Sequence, residues 1–196
     1  MTMEEGGRRK GFKVVMIGPE NSGKSALVNA IFGRNISRVS EVGGTTKNPI
    51  KKFWGRLKYG RSKRRPKMVD LIFVDLGGLF AGEKKSPVMV GKVLERTYRE
   101  IEDANLIIHV IDGERGLLKS FEKLHHNLKF RCQKPIIVVV NKCDLLDDTR
   151  REELRRYVED RLRNRCIFTS ALTYEGIPEL IGAIIHILKN IDVKRR

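Results

Sequence analysis

Gly18-Pro19-Glu20-Asn21-Ser22-Gly23-Lys24-Ser25 follows Val14-Val15-Met16-Ile17 and precedes Ala26-Leu27-Val28-Asn29-Ala30-Ile31-Phe32. The first apolar run reads as a buried strand, the second segment as a helix, and the stretch between them fills the pattern G-x-x-x-x-G-K-[ST]. Glycines at its two ends let the backbone wrap so that several N–H groups converge on one anion. The helix starting near Lys24 adds the positive end of its dipole. A lysine there neutralises β- and γ-phosphates, and the following hydroxyl, Ser25, is a magnesium ligand. A strand–loop–helix context of this kind points to a nucleoside triphosphate.

Working outward, 196 residues suffice for one domain with a full core. No apolar stretch approaches the roughly 20 residues needed to span a bilayer, and Met1-Thr2-Met3-Glu4-Glu5-Gly6-Gly7 lacks the apolar centre of a signal peptide. We therefore expect a cytoplasmic protein. Cys132, Cys143 and Cys166 form no C-x-x-C pair, so neither a zinc site nor a disulfide framework is indicated. His125 and His126, adjacent on an expected helix, are read as solvated.

The charge is lopsided: 40 Lys and Arg against 24 Asp and Glu give a net +16. Ion-pair networks of heat-adapted proteins also raise the charged fraction, but they do not call for an excess of one sign. An acidic partner, RNA before an anionic membrane surface, is expected.

Residues 1–11 read as a basic flexible tail, 12–191 as one nucleotide-binding domain and 192–196 as a basic tail. From Gly33 to Pro49 periodicity stops, and Gly43-Gly44-Thr45-Thr46-Lys47-Asn48-Pro49 reads as a moving loop. Residues 50–59 and 68–75 read as strands of an antiparallel hairpin joined by Gly60-Arg61-Ser62-Lys63-Arg64-Arg65-Pro66-Lys67. A helix is expected from about Val88 through Tyr98 and Ile101, and then strands at 106–111, 136–140 and 166–169 alternate with helices near 115–130, 149–163 and from 177. Such alternation with near-continuous apolar strands means an α/β fold: a mostly parallel sheet covered on both faces, with ligands at the carboxyl ends of its strands.

Further motifs fall at those ends. Asp75-Leu76-Gly77-Gly78 fits D-x-x-G, whose carboxylate orders the magnesium shell and whose Gly78 N–H meets a γ-phosphate. Asn141-Lys142-Cys143-Asp144 fits N-K-x-D, in which one carboxylate accepts two hydrogen bonds from guanine that adenine cannot offer. Ser170-Ala171-Leu172 follows the last strand, placing the Ala171 N–H for the guanine oxygen.

In this order the set resembles the small GTPase superfamily of P-loop proteins over about residues 12–190. Asn21, Gly44-Thr45-Thr46-Lys47 and Leu79 after D-x-x-G resemble the Era/TrmE/FeoB-type, translation-associated branch. The resemblance implies a six-stranded, mostly parallel sheet with the second strand antiparallel, and a protein that binds GTP and GDP with Mg²⁺ and hydrolyses GTP. It implies nucleotide contacts from Gly18, Glu20, Asn21, Ser22, Gly23, Lys24, Ser25, Ala26, Asp75, Gly78, Asn141, Lys142, Asp144, Ser170, Ala171 and Leu172. The catalytic set is Lys24, Thr46 and Gly78, with Thr45 as the alternative switch threonine. Metal contacts are implied for Ser25, Thr46 and Asp75, and for Asn21 beside a K⁺ ion.

Two departures stand out. Gly77 replaces the proline usual in D-x-P-G, which loosens the second switch. Leu79 stands where many GTPases carry a water-orienting glutamine, so slow intrinsic hydrolysis is expected. The RNA-binding domain that follows the GTPase domain in Era proteins is not expected within residues 1–196. In a doubly wound sheet the first tail, the loop between the hairpin strands and the end of the last helix lie opposite the nucleotide, and a basic face for RNA or a ribosomal partner is expected there: Arg8, Arg9, Lys10; Arg61, Lys63, Arg64, Arg65, Lys67; Lys189, Lys194, Arg195, Arg196; and Arg161, Arg163, Arg165. Glu159 is expected to offset Arg163 in part at i,i+4.

Overall fold

The run 14–17 alternates between two environments. Val14 and Met16 pack into one apolar cluster, Val15 and Ile17 into another, and all four are fully buried. A strand whose two faces are both apolar requires a covering layer on each side. The computed structural model, which describes residues 11–42, 51–59, 67–76 and 98–194, supplies both layers.

A seven-stranded sheet runs in the order β2-β3-β4-β1-β5-β6-β7. Its strands are β1 (Phe12–Ile17), β2 (Ile36–Val42), β3 (Lys51–Tyr59), β4 (Lys67–Asp75), β5 (Leu106–Asp112), β6 (Ile136–Asn141) and β7 (Cys166–Thr169). β1 pairs in parallel with β4 and β5, and β5, β6 and β7 continue in parallel. β3 and β4 form the expected antiparallel hairpin, in register from Lys51↔Asp75 to Tyr59↔Lys67.

The helices are α1 (Lys24–Asn35), α2 (Lys119–Cys132), α3 (Asp148–Leu162) and α4 (Ile177–Lys194). α1 and α4 cover one face: Leu27, Val28 and Ile31 meet Ile177, Leu180, Ile184 and Leu188 over Val14, Met16, Ile108 and Val139. α2 and α3 cover the other through Leu128 and through Leu154, Val158 and Leu162. α3 starts with an N-cap, the Asp147 carboxylate accepting from Arg150 N at 2.7 Å.

The six strands expected from the sequence are present, with β3 antiparallel as foreseen. The seventh, β2, occupies part of the stretch from Gly33 to Pro49 that lacks sequence periodicity and pairs antiparallel with β3; the expected moving loop, Gly43 to Pro49, lies outside the described residues. The β2 register shifts between Arg38 and Ser40, so an irregularity interrupts the alternation that would have announced a strand. The helix expected from Val88 is described only at 98–102.

Two further expectations are corrected. His125 is fully buried, its Nδ1 3.2 Å from Nδ1 of His109 on β5; only His126 is exposed. Glu159 lies near Arg155 (3.9 Å) and accepts from Cys166 N (3.0 Å), while Arg163 meets it only through its own N–H bonded to the Glu159 carbonyl.

Candidate functional site

β1 delivers the loop 18–23 to the middle of the carboxyl edge of the sheet. Two of its glycines are required sterically. A Cβ on Gly18 would lie 2.3 Å from the Val110 carbonyl oxygen, and one on Gly23, at φ +83, 2.3 Å from Asn141 Nδ2. The loop is thus pressed against β5 on one side and the end of β6 on the other.

Lys24 is 5% exposed. Its Nζ donates to the Pro19 carbonyl at 2.6 Å, the Gly18 carbonyl at 3.0 Å and Ser22 Oγ at 3.4 Å. Burial lowers its pKa, opposed by the nearby carboxylates of Asp75 and Glu20. A lysine held by carbonyl oxygens is already aimed into the concavity of the loop. Ser22 Oγ donates to the Pro19 carbonyl at 2.9 Å and closes the turn. Glu20 and Asn21 stand exposed on its crest, Asn21 at φ +62, and Ala26 is exposed in the first turn of α1.

Ser25 Oγ donates to Asp75 Oδ2 at 2.8 Å. Asp75, at the end of β4, is 6% exposed. A hydroxyl and a carboxylate brought together at the phosphate-binding edge are hard oxygen donors, and this set fits Mg²⁺. Among the described residues there is no group of three or more His, Cys, Asp or Glu able to hold a metal. Thr45, Thr46, Gly77, Gly78 and Leu79 lie outside the described residues.

The N-K-x-D residues follow β6. Asn141 Nδ2 donates to the Ser22 carbonyl at 2.9 Å, while its Oδ1 accepts from Thr169 Oγ1 at 3.2 Å and Ala171 N at 3.3 Å. One buried amide therefore ties the phosphate loop, β7 and the Ser-Ala turn together. Lys142, at φ +64, donates to Asp112 Oδ2 at 2.7 Å. Asp112 is fully buried and also accepts from Glu114 N at 3.0 Å. Asp144 sits half-exposed in the short helical turn Cys143–Leu145. Ser170 is buried, and its Oγ accepts from Leu172 N and Thr173 N at 3.2 and 3.0 Å, which shapes the turn carrying Ala171; Leu172 is 80% exposed.

Three residues of this frame escaped the sequence reading. Asp112 stands at the carboxyl end of β5, the position that drew attention to Asp75, and could have been found by the same rule. Arg151 donates to both carboxylate oxygens of Glu175 at 2.6 and 3.1 Å and to the Cys143 carbonyl at 2.8 Å. This bridge locks the turn carrying Asp144 to the loop carrying Ala171, because Ser170 N donates to the Glu175 carbonyl at 3.0 Å. It raises the Arg151 pKa and lowers that of Glu175. No sequence pattern announces a pairing of this separation.

Those of the residues read as phosphate-binding, magnesium-binding and guanine-reading that the structure describes lie at one edge of one sheet. Residues 13–142 match the family described as 50S ribosome-binding GTPase. The chain is 62% identical over 181 residues to an uncharacterised protein of Methanocaldococcus jannaschii, covering 92% of this chain and 98% of that one. It is 31% identical to GTPase Der of a Sulfurihydrogenibium species, covering 92% of this chain but only 39% of Der. Among solved structures it superposes on Era of Aquifex aeolicus bound to GDP and AlF4⁻ with a TM-score of 0.67 at 27% identity, covering 89% of this chain and 56% of Era. A second Era structure, in complex with MgGDPNP and nucleotides 1506–1542 of 16S ribosomal RNA, gives 0.63 at 26% identity, covering 89% of this chain and 56% of that one. The chain belongs to the 50S ribosome-binding GTPase family, and is a small P-loop GTPase that binds guanine nucleotide and hydrolyses GTP.

Proposed function

We propose that this GTPase is a nucleotide-dependent switch in the cytoplasm whose GTP form engages RNA or a ribosomal partner and whose hydrolysis ends that engagement. The observation that carries the reading is the net charge of +16 on a GTPase domain. It is joined by the family's description as ribosome-binding and by the RNA bound in the Era complex. Among the described residues no helix is long and apolar enough to cross a membrane.

In this reading Lys24 exchanges its loop carbonyls for β- and γ-phosphate oxygens, a trade of neutral acceptors for charged ones. Ser25 would hold Mg²⁺ with the Asp75 carboxylate ordering its shell, and the ion would supply positive charge to the phosphates. Asp144 reads the guanine edge, and the Ser170–Leu172 turn faces the same base. Thr46 and Gly78 contact the γ-phosphate. With Leu79 in the place of a glutamine, intrinsic turnover is slow, and Asn21 would hold a K⁺ ion whose charge would take the missing glutamine's part.

Multiple-turnover phosphate release by the purified protein, paired with pull-downs in GTP-analogue and GDP forms, tests the reading. Turnover with RNA or ribosomal material retained only by the analogue form supports it. Equal retention in both forms removes the switch. The second reading, an interaction module with negligible hydrolysis, rests on Leu79 and is selected if phosphate release stays at background while binding remains nucleotide-dependent.

A further inference from the structure

α2 carries an unusual end. Phe130 is 86% exposed, next to Lys129 and Arg131 in the last turn. On the same helix, facing the helical turn at 98–102, lies a hollow of about 310 Å³ whose wall includes Tyr98, Glu102, Asn127, Arg131 and Lys134 over a floor of Leu124, Leu128 and Cys132. A second hollow of about 240 Å³ shares Leu124 and Asn127 with it and continues along α2 past Lys123. The two make one groove.

The cations around this groove differ from those of α3. Arg150, Arg151, Arg155, Arg156 and Arg161 each face a carboxylate within 4 Å. Arg161 is thereby removed from the basic face expected from the sequence, since its partner Glu122 is 2.7 Å away. Lys123, Arg131, Lys134, Arg163 and Arg165 form no ion pair among the described residues. The last two belong to the loop before β7, which is fastened to the end of α2: Lys129 Nζ donates to the Arg163 carbonyl at 3.1 Å and to Asn164 Oδ1 at 2.8 Å. Asn164 Nδ2 in turn donates to the Ile136 carbonyl at 3.2 Å, which sets Arg163 and Arg165 beside the loop carrying Lys134.

We propose that this groove, at the end of the sheet opposite the phosphate loop, binds unpaired nucleotides of an RNA strand. The proposal rests on RNA being the partner. Cations at a helix C-terminus complement the helix dipole, and a single exposed phenylalanine is ordinary on a surface. Neither explains the two together with a concave wall. Single-stranded nucleic acid is recognised by cations that track its backbone and aromatic rings on which its bases stack. Tyr98, 41% exposed, supplies a ring on the groove wall, and Phe130 a second on the same last turn of α2; Arg131 and Lys134 supply the charge on the wall, with Arg163 and Arg165 at the same end of the sheet on the other flank of α2. The Asn127 amide and the Glu102 carboxylate offer hydrogen-bond partners to base edges on the groove wall. A flat anionic membrane would use the cations and Phe130 but has no use for a concave wall. A duplex presents no free base faces.

The test uses the full chain with a non-hydrolysable GTP analogue bound and fluorescence anisotropy of a labelled twelve-nucleotide RNA strand, its duplex, and phosphatidylserine vesicles as competitor. The single strand is expected to bind more tightly than the duplex. Tyr98→Ala and Phe130→Ala should each weaken it about tenfold through lost stacking. Arg131→Glu with Lys134→Glu should weaken it further and lower the salt slope by about 0.7 for each phosphate that is no longer neutralised. GDP affinity, measured in parallel, reports that each variant is folded. Undiminished strand binding by all three variants overturns the groove while leaving RNA as the partner. Tighter binding to duplex than to strand also overturns the groove. If the protein ignores RNA and follows vesicles instead, both the groove and the RNA reading fall, while phosphate release still reports the GTPase.

Discussion

Asn141 Nδ2 donates to the Ser22 carbonyl at 2.9 Å across 119 residues of chain, so the end of β6 and the phosphate loop are a single mechanical unit. Asp144, three residues on, makes no comparable hydrogen bond among the described residues. The roles of the two side chains separate by mutation. Asp144→Asn should weaken GTP by about 100-fold or more, since a carboxylate accepting two hydrogen bonds from guanine is replaced by an amide that mismatches one of them, with the denaturation midpoint unchanged. Asn141→Ala should lower both affinity and stability, because it strands the Ser22 carbonyl and the Thr169 hydroxyl in a buried site, at about 1–3 kcal/mol for each unsatisfied group. Equal effects of the two substitutions on stability would contradict this division.

Lys24→Ala carries a similar double cost. Its ammonium group satisfies the Gly18 and Pro19 carbonyls, so the variant should lose nucleotide binding and also unfold at lower denaturant. Ser25→Ala removes the hydroxyl that donates to Asp75 Oδ2 and should raise the Mg²⁺ concentration needed for GTP binding, with little change in stability. Calorimetric titration with GDP at several Mg²⁺ concentrations, beside urea melts, checks both.

The histidine pair makes stability pH-dependent. Burial, reinforced by the proximity of His125, lowers the His109 pKa from 6.5 to about 3. Burial, with His126 and Lys129 adding to it, lowers that of His125 to about 4, against opposing hydrogen bonds from Asn164 and the Leu162 backbone. Both rings are neutral in the fold and protonate in the unfolded chain below pH 6.5. Their contribution is therefore complete above that value and is lost as pH falls toward 4, at up to about 1.4 kcal/mol per pH unit for each ring. Urea melts between pH 7 and 4.5 should show the decline, and His109→Leu with His125→Leu should flatten it. A wild-type midpoint that holds constant over that range would refute the assignment.

The potassium reading has its own measurement. Hydrolysis at saturating GTP and Mg²⁺ should be faster in potassium than in sodium at equal ionic strength, because charge placed at the moving phosphoryl group acts on turnover more than on affinity. Asn21→Ala should erase the difference and leave GDP binding intact. Equal wild-type rates in the two salts would leave a partner-supplied group in its place.

Legibility follows chain distance and regularity. Gly18 to Ser25, Asp75 and Asn141 to Asp144 are readable because each motif is contiguous and sits just after an apolar strand. β2 is not: Ile36, Val39 and Val42 recur at intervals of three, and the register shift at Arg38/Ser40 breaks the alternation a strand should show. His125 could have been placed, since Phe121, His125 and Leu128 share one helical face. Its partner on β5 could not, because pairing strand to helix needs the fold. The Arg151–Glu175 bridge is likewise invisible in the sequence: it joins the first turn of α3 to a loop through partly exposed residues whose types are common on any surface.

The position of β1 also bears on how the chain is made. Phe12–Ile17 leaves the ribosome early, yet its sheet neighbours are Leu71–Asp75 and Leu106–His109. At roughly 5–20 residues per second, the wait for the second flank is on the order of 5–20 s. For that time a strand apolar at every position but Lys13 has open hydrogen-bonding edges, and only α1 is near in sequence to shield it. Fragments ending before residue 106 should therefore be poorly soluble, and nascent chains of intermediate length should be the ones that hold-type chaperones capture.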